Sequence, residues 1–417
     1  MISQPLRTAV FLAAVLFYYI SYTPGLLHAD QAVSAQNFIQ HGGYALAQNG
    51  HISIAQNSTT PFIPASTLKI ITSLAALDIL GPDYHFSTLI SHDQQNNLYI
   101  QGSGDPFLLT ENIIAIVRRL HESGIKQVNN LIMDESVYQL DFPADGCENT
   151  TNPYDAWNGG LAVNFNSIAI RVAPDRAVSS DDPKIPFLPM MQTIGSTLRP
   201  GHYHLNVNAF KATGQLSNTL RYSGELFTAL LANEQIAVRG TILAGQAPTT
   251  ATPILTYRSD KTVREMIKEC LKFSNNFVAN QLFLACGSAR LGTPATWEKS
   301  RTVLRAYISE DLGISEAELV MLEGSGLSRR NRVTPQAMIT ALEKFAPYQD
   351  LLPIKKGFPL KSGTLTGVYC YAGYLPQQQK APFVILLNQA QNNRDEILHI
   401  LSARKKREAT LSAKNIL

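Results

Sequence analysis

The sequence predicts an α+β fold in which an antiparallel sheet is covered by helices, and three observations predict it. Asn49-Gly50, a strong two-residue hairpin signal, joins the short apolar runs Tyr44 to Ala47 and His51 to Ala55. Two apolar strands, Gly367 to Tyr374 and Pro382 to Asn388, come late in the chain and are followed by a helical run from Arg394 to Ala403. Between these ends a helical stretch runs with interruptions from Thr262 to Phe345. A strand pair at each end with helices between them is a layered sheet-and-helix arrangement.

The elements follow in order. Pro64 and Ala65 lead into a periodic apolar run, Ser66 to Leu80, which Gly81-Pro82 ends, so a helix of about four turns is expected there. Phe86 to Ile90 and Leu98 to Gln101 read as strands, Asn112 to His121 as a helix and Leu131 to Asp134 as a strand. Asp141 to Asp155 reads as a long loop, and Val172 to Thr219 carries little helical period. Gly224 to Glu234 is an expected helix and Ile236 to Leu243 an expected strand.

The 417 residues are 45% hydrophobic and 16% charged, which supplies a substantial core, suggests two or three domains and excludes disorder as the main state. A net charge of +3 with no long run of one sign gives no general pull toward nucleic acid. Arg7 followed by the apolar stretch Thr8 to Ile20 reads as an export signal, 1–29, with Ala29 as the cleavage position. The alternative is an uncleaved anchor, though the stretch is short for a bilayer span. Lys405, Lys406 and Arg407 read first as a frayed basic tail and second as a weak membrane-surface contact. Cys147, Cys270, Cys286 and Cys370 read as free thiols, and the scattered histidines give no metal-ligand spacing, so no metal or cofactor is expected.

Three short motifs could carry chemistry. In Ser66-Thr67-Leu68-Lys69 a hydroxyl and an amine sit one helical turn apart on one face, at a helix start. A neutral amine there could take the hydroxyl proton, and the helix N-terminus favours a developing oxyanion. The S-x-x-K pattern also occurs at Ser123 and Ser402, but only Ser66 opens a helix after a hairpin. Ser274-Asn275-Asn276 lies between two helical runs, where its hydroxyl could relay a proton and its amide hold a substrate carbonyl. An ordinary helix cap is the alternative reading of those three residues. Lys361-Ser362-Gly363-Thr364 opens the strand-rich end; glycine admits a backbone close to the strand, and the donors suit a carboxylate.

The order S-x-x-K, S-x-N, K-[ST]-G is the active-serine penicillin-recognising pattern. The chain resembles the D-alanyl-D-alanine carboxypeptidase/endopeptidase family of class C low-molecular-weight penicillin-binding proteins. Gly102-Ser103-Gly104-Asp105-Pro106 is similar to the family's G-x-G-D-P segment, and Leu131 to Ser136 to its strand ending in an acidic pair and serine. Gly324-Ser325-Gly326-Leu327-Ser328-Arg329-Arg330-Asn331-Arg332-Val333-Thr334-Pro335 is similar to its G-S-G-L-S-R-x-N-R-x-x-P loop. Tyr371 to Tyr374 and Val384 to Asn388 resemble its closing strands. The third motif departs as K-S-G instead of K-T-G, and the second as S-N-N instead of S-D-N.

The resemblance implies a penicillin-binding-protein/β-lactamase-like transpeptidase fold with inserted α/β material. The expected division is a discontinuous catalytic domain, 30–85 and 258–417, and an inserted domain, 86–257, with a nested portion at about 172–219. It implies Ser66 as nucleophile, Lys69 as its base, Ser274 with Lys361 as the proton path to the leaving amine, and Asn276 as a peptide-positioning residue. Ser362 with Lys361 would bind a terminal carboxylate beside Gly363, and the backbone N–H groups of Ser66 and Thr364 would form the oxyanion hole. Arg329 would either bind an acidic group of the peptide or brace its loop. An acidic residue of the insert near the site is expected at Asp145, Glu148 or Asp155. The implied activity is serine D,D-peptidase action on peptidoglycan stem peptides, as carboxypeptidase, endopeptidase or both, with β-lactams as acylating inhibitors. A β-lactamase on the same fold and a non-catalytic wall-binding protein with a relic site are the alternatives.

Overall fold

A computed structural model describes residues 34–212, 214–375 and 381–403. The expected export signal, the linker 376–380 and the basic tail beyond 403 lie outside the described residues. Residues 41–395 form one compact unit, and the chain ends form another. Within the latter, a short 3-10 turn covers Ala35–Phe38 and helical backbone continues to 403.

The first hairpin forms as expected. Strands β1 (Gly42–Gln48) and β2 (His51–Gln56) pair with Gln48 opposite His51, leaving Asn49 and Gly50 as the turn. Both turn residues have positive φ, 51° and 77°, which Asn and Gly tolerate. A 3-10 turn, Ala65–Leu68, then leads into helix α1 (Lys69–Ile79), whose residues 69–77 are all buried. Helices α2 (Val263–Phe273), α3 (Asn276–Leu291) and α4 (Pro335–Phe345) pack against α1. The sheet is completed by β3 (Ile354–Lys355), β4 (Phe358–Leu365), β5 (Val368–Leu375) and β6 (Ala381–Leu387). Its order is β3-β4-β5-β6-β1-β2, antiparallel throughout, so the first hairpin pairs with the last strand. Leu68, Ile71 and Leu74, Val278, Leu282 and Phe283, and Met338 and Leu342 share one apolar core with Val384 and Leu386 of the sheet. α1 is buried on every face from 69 to 77, polar Lys69, Thr72 and Ser73 included.

A second core lies in the middle of the chain. A five-stranded mixed sheet runs in the order Ile242–Ala244, Leu131–Asp134, Leu98–Gln101, Ser87–His92, Thr252–Arg258. A three-stranded antiparallel sheet joins Val178–Ser180, Ser167–Val172 and Gly201–Asn206. Ile90, Ile100, Ile116, Met133, Phe227 and Tyr257 belong to this second core.

Two expectations are corrected here. The stretch Val172 to Thr219 contains a helix, Pro189–Gly195, which buries Met190, Met191 and Ile194. Two turns are too few for a period to show in sequence. The expected strand Ile236 to Leu243 is two short strands, Ala237–Val238 and Ile242–Ala244, because Arg239-Gly240-Thr241 breaks the run. The four cysteines are free, and three of them are buried.

Candidate active site

Ser66 lies in the 3-10 turn that opens α1, directly after Ala65, whose φ of 46° sharpens the entry. One turn on, Lys69 is fully buried, and its Nζ donates to Ser66 Oγ at 3.0 Å, Asn276 Oδ1 at 2.7 Å and the Ser325 carbonyl at 2.6 Å. Burial pushes the amine down to about 8, with the Glu323 carboxylate among the opposing influences. An amine that loses its proton near neutrality, 3.0 Å from a hydroxyl, is placed to act as a base.

The cap reading of the second motif is seen at its middle residue, and the residues on either side meet the two lysines. Ser274 closes α2 in the left-handed conformation, with φ 58°. Asn275 is the cap of α3, its side chain accepting from Val278 N–H at 3.1 Å. With Asn275 capping, the flanking residues are released for other work. Ser274 Oγ accepts from Lys361 Nζ at 2.8 Å, and Asn276 reaches Lys69. Asn276 Nδ2 also donates to the Tyr154 carbonyl at 3.2 Å, which ties the 141–157 loop to the site. Lys361 is buried and also donates to the Ser362 carbonyl at 2.8 Å. Burial, then the positive charges of Lys69 and Lys355, hold its pKa well below the ordinary lysine range.

Strand β4 brings the third motif against the Ser66 turn. A Cβ on Gly363 would stand 2.9 Å from Ser66 N and 2.8 Å from the Pro64 carbonyl, so only glycine lets the strand lie this close. β3 pairs only with Phe358 and Pro359, so among the described residues no strand covers Lys361 to Leu365 on that side. An open strand beside a nucleophile can accept an extended peptide backbone.

Several cations line this strand. Lys355 Nζ donates to Ser362 Oγ at 2.8 Å. Arg394 donates to the Gly363 carbonyl and to Thr364 Oγ1, both at 2.9 Å, and lies 4.4 Å over the Tyr371 ring. Arg329 donates to the Thr366 carbonyl at 2.5 Å, which is the bracing alternative for that residue. Lys355 and Arg394 went unassigned in the sequence analysis. The signal for Lys355 was a lysine just before the Lys356-Gly357 turn, a few residues ahead of Lys361; Arg394 carried no local signal.

Glu323 was missed as well. Fully buried, it accepts from Ser325 N–H and Oγ at 2.7 and 2.5 Å, Gly326 N–H at 2.8 Å, Ser328 N–H at 3.3 Å and Asn331 Nδ2 at 2.8 Å. This carboxylate shapes the loop that presents the Ser325 carbonyl to Lys69. The three acidic candidates of the insert separate clearly. Asp145 binds Ser328 and Arg330 of that same loop, Asp155 is buried on Thr150, and Glu148 is exposed. Among the described residues no helix is long and apolar enough to cross a membrane, and no cluster of His, Cys, Asp or Glu could hold a metal.

The model of the D-Ala-D-Ala carboxypeptidase 3 (S13) family matches residues 40–360. The chain is 25% identical over 393 residues to the D-alanyl-D-alanine carboxypeptidase DacB of Haemophilus influenzae, covering 80% of this chain and 81% of that one. It is also 25% identical over 382 residues to the D-alanyl-D-alanine carboxypeptidase of an Actinomadura species, covering 75% and 71%. Among solved structures, penicillin binding protein 4 (dacB) from Haemophilus influenzae has the same fold, with a TM-score of 0.70 at 21% identity over 86% of this chain and 94% of that one. The family match spans most of the chain and takes in the hairpin, the Ser66 turn, the sheets of the second core and the Glu323 loop: the chain belongs to the D-Ala-D-Ala carboxypeptidase 3 (S13) family and is a serine-type D,D-peptidase.

Proposed function

We propose that Ser66 is the nucleophile of a hydrolase that cuts bonds following D-alanine in peptidoglycan stem peptides through an acyl-enzyme. The observation that carries this reading is the fully buried Lys69, bonded at once to Ser66 and Asn276. Neutral Lys69 takes the Ser66 proton as Oγ attacks the carbonyl carbon of the penultimate D-alanine. The Ser66 N–H and the Thr364 N–H receive the oxyanion, a contribution of roughly a hundredfold per donor in measured cases. The leaving amine takes its proton through Ser274 Oγ, backed by Lys361. Asn276 holds the peptide on the open side of β4, and water then releases the acyl group from Ser66.

A carboxylate next to the scissile bond is received by Ser362 and Thr364, with Lys355 and Arg394 behind them. A terminal D-alanine and the D-centre of a cross-link both carry such a group, so one site serves carboxypeptidase and endopeptidase action alike. β-Lactams, with a carboxylate similarly placed, would acylate Ser66. A β-lactamase would need a carboxylate free to activate a deacylating water, and the Glu323 oxygens beside Lys69 are engaged by their own loop. That supports a long-lived penicilloyl adduct. The substrate lies outside the cytoplasm, and the apolar stretch Thr8 to Ile20 supports export to the periplasm.

Labelling with a fluorescent penicillin, followed by intact mass and peptide mapping, tests the reading. A stable adduct on Ser66, absent from a folded Ser66→Ala variant, is expected. Residual labelling of that variant would overturn the assignment, and rapid penicilloate release from the wild type would make the protein a β-lactamase.

A further inference from the structure

A cavity of about 370 Å³ lies where the chain after strand Leu131–Asp134 meets residues 157–160 and the segment ahead of helix Asn218–Asn233. That volume is within the range of small-ligand sites. Glu135 is the one Asp, Glu, Lys or Arg among the residues lining it. Its carboxylate has no hydrogen-bond or ion-pair partner among the described residues, and burial, then the neighbouring Asp134, raise it to about 7. Two glycines keep room around it. A Cβ on Gly159 would stand 3.4 Å from Glu135 Oε2, and one on Gly160 would collide with the Glu135 carbonyl at 2.5 Å. Trp157 and Phe210 supply aromatic surface, and Asn208 and Asn218 supply amides.

A lone, mostly buried carboxylate without a cation, facing a cavity with aromatic walls, is the complement of an ammonium group. We propose that this cavity is a second binding site, distinct from the Ser66 cleft, for the side-chain ammonium of a diamino acid carried by a wall peptide. The choice of a wall peptide rests on the function proposed above; the preference for an ammonium does not. The cavity also touches the catalytic helix. Asn158, in its wall, donates to the Phe277 carbonyl at 2.9 Å and to Gln281 Oε1 at 3.1 Å, both on α3, which begins with Asn276. An occupant would therefore press on the element that carries Asn276, and one strand of wall could be held while another is cut.

The test uses the full chain after acylation by penicillin, so that the Ser66 cleft is filled. Calorimetric titration with Nα-acetyl-L-lysyl-D-alanyl-D-alanine should show one remaining site, weakened at least tenfold in Glu135→Gln and lost when norleucine replaces the lysine. Penicillin labelling of Glu135→Gln at the wild-type rate would show that the variant is folded. No binding to the acylated protein, or binding that ignores the Glu135 change or the norleucine exchange, would overturn the proposal. Failure of penicillin to acylate would instead count against the function proposed above.

Discussion

Two irregular stretches meet beside Ser66, and they differ in how much of their bonding is internal. The stretch from Glu323 to Pro335 carries its own organiser, a buried carboxylate that gathers donors from Ser325, Gly326, Ser328 and Asn331 within eight residues of itself. The stretch 141–157 has a smaller centre, Asp155, whose carboxylate accepts only from Thr150 N–H and Oγ1 among the described residues, and it takes much of its anchoring from distant parts of the chain. The Trp297 indole donates to the Phe142 carbonyl at 2.9 Å, and Asn206 donates to the carbonyls of Thr150 at 3.0 Å and Thr151 at 2.9 Å. A loop with an internal acceptor can hold the Ser325 carbonyl near Lys69 largely from within. A loop held from outside positions its residues only as well as the surrounding structure is folded.

The most severe way to break the self-organised loop is Gly326→Ala. Gly326 has a φ of 83°, and a Cβ there would stand 1.9 Å from the Ala65 carbonyl and 3.2 Å from Ser66 N. Neither side can yield without moving Ser66. A displacement near 1 Å costs on the order of a hundredfold in rate, so penicillin acylation, followed by stopped-flow or quench, should slow at least that much. An unchanged rate would mean that this contact does not set the position of Ser66.

Glu323→Gln sharpens the comparison through two readouts. Glutamine offers one acceptor oxygen where the carboxylate offered two, so buried donors of the loop lose partners, at about 1–3 kcal/mol for each unsatisfied group. A lower melting temperature follows. The Glu323 charge also raises Lys69 against the larger effect of burial, so its removal lets the amine fall below about 8. Only neutral Lys69 can accept the Ser66 proton. In the wild type acylation should therefore climb with pH and level off above about 8, and in the variant the midpoint should move to lower pH. A midpoint that stays put would remove Glu323 from the electrostatics of the site.

The same contrast explains how far the sequence could be read. The hairpin at Asn49-Gly50, the helix after Pro64 and the two late strands are signalled by residues within a few positions of themselves, and all three form. The S-N-N motif was legible as a motif, but its division of labour was not. That Asn275 caps α3 while Ser274 and Asn276 turn to the two lysines depends on a left-handed residue between helices. Glu323 escaped notice because a buried carboxylate that gathers the backbone and side-chain donors of its own loop has no sequence pattern. Arg394 escaped because its link to Thr364 exists only once β4 and the start of the last helix are side by side. Asp145, Glu148 and Asp155 were equivalent on paper because what separates them is tertiary: Asp145 meets Ser328 and Arg330, Asp155 is buried on nearby Thr150, and Glu148 stays exposed.

Asp145→Asn should have the smallest effect, and its pH dependence separates it from the others. Although partial burial pushes the other way, Arg330 and Ser328 hold Asp145 below the usual carboxylate range. A carboxylate depressed in the folded state adds stability above its unfolded pKa and gives it up as the pH falls through the folded one. The Arg330 side chain is 71% exposed, so solvent screens the pair and its contribution is small. Wild type and Asp145→Asn should thus differ only slightly in melting temperature at neutral pH, and the gap should close as the pH drops below the carboxylate range. The acylation midpoint near 8 should not move, because Asp145 is not among the groups that shift Lys69. If that midpoint did move, Asp145 would be reaching Lys69 through the Ser328 contact, and the Glu323 carboxylate would not be the only part of the loop that sets the charge state of that amine.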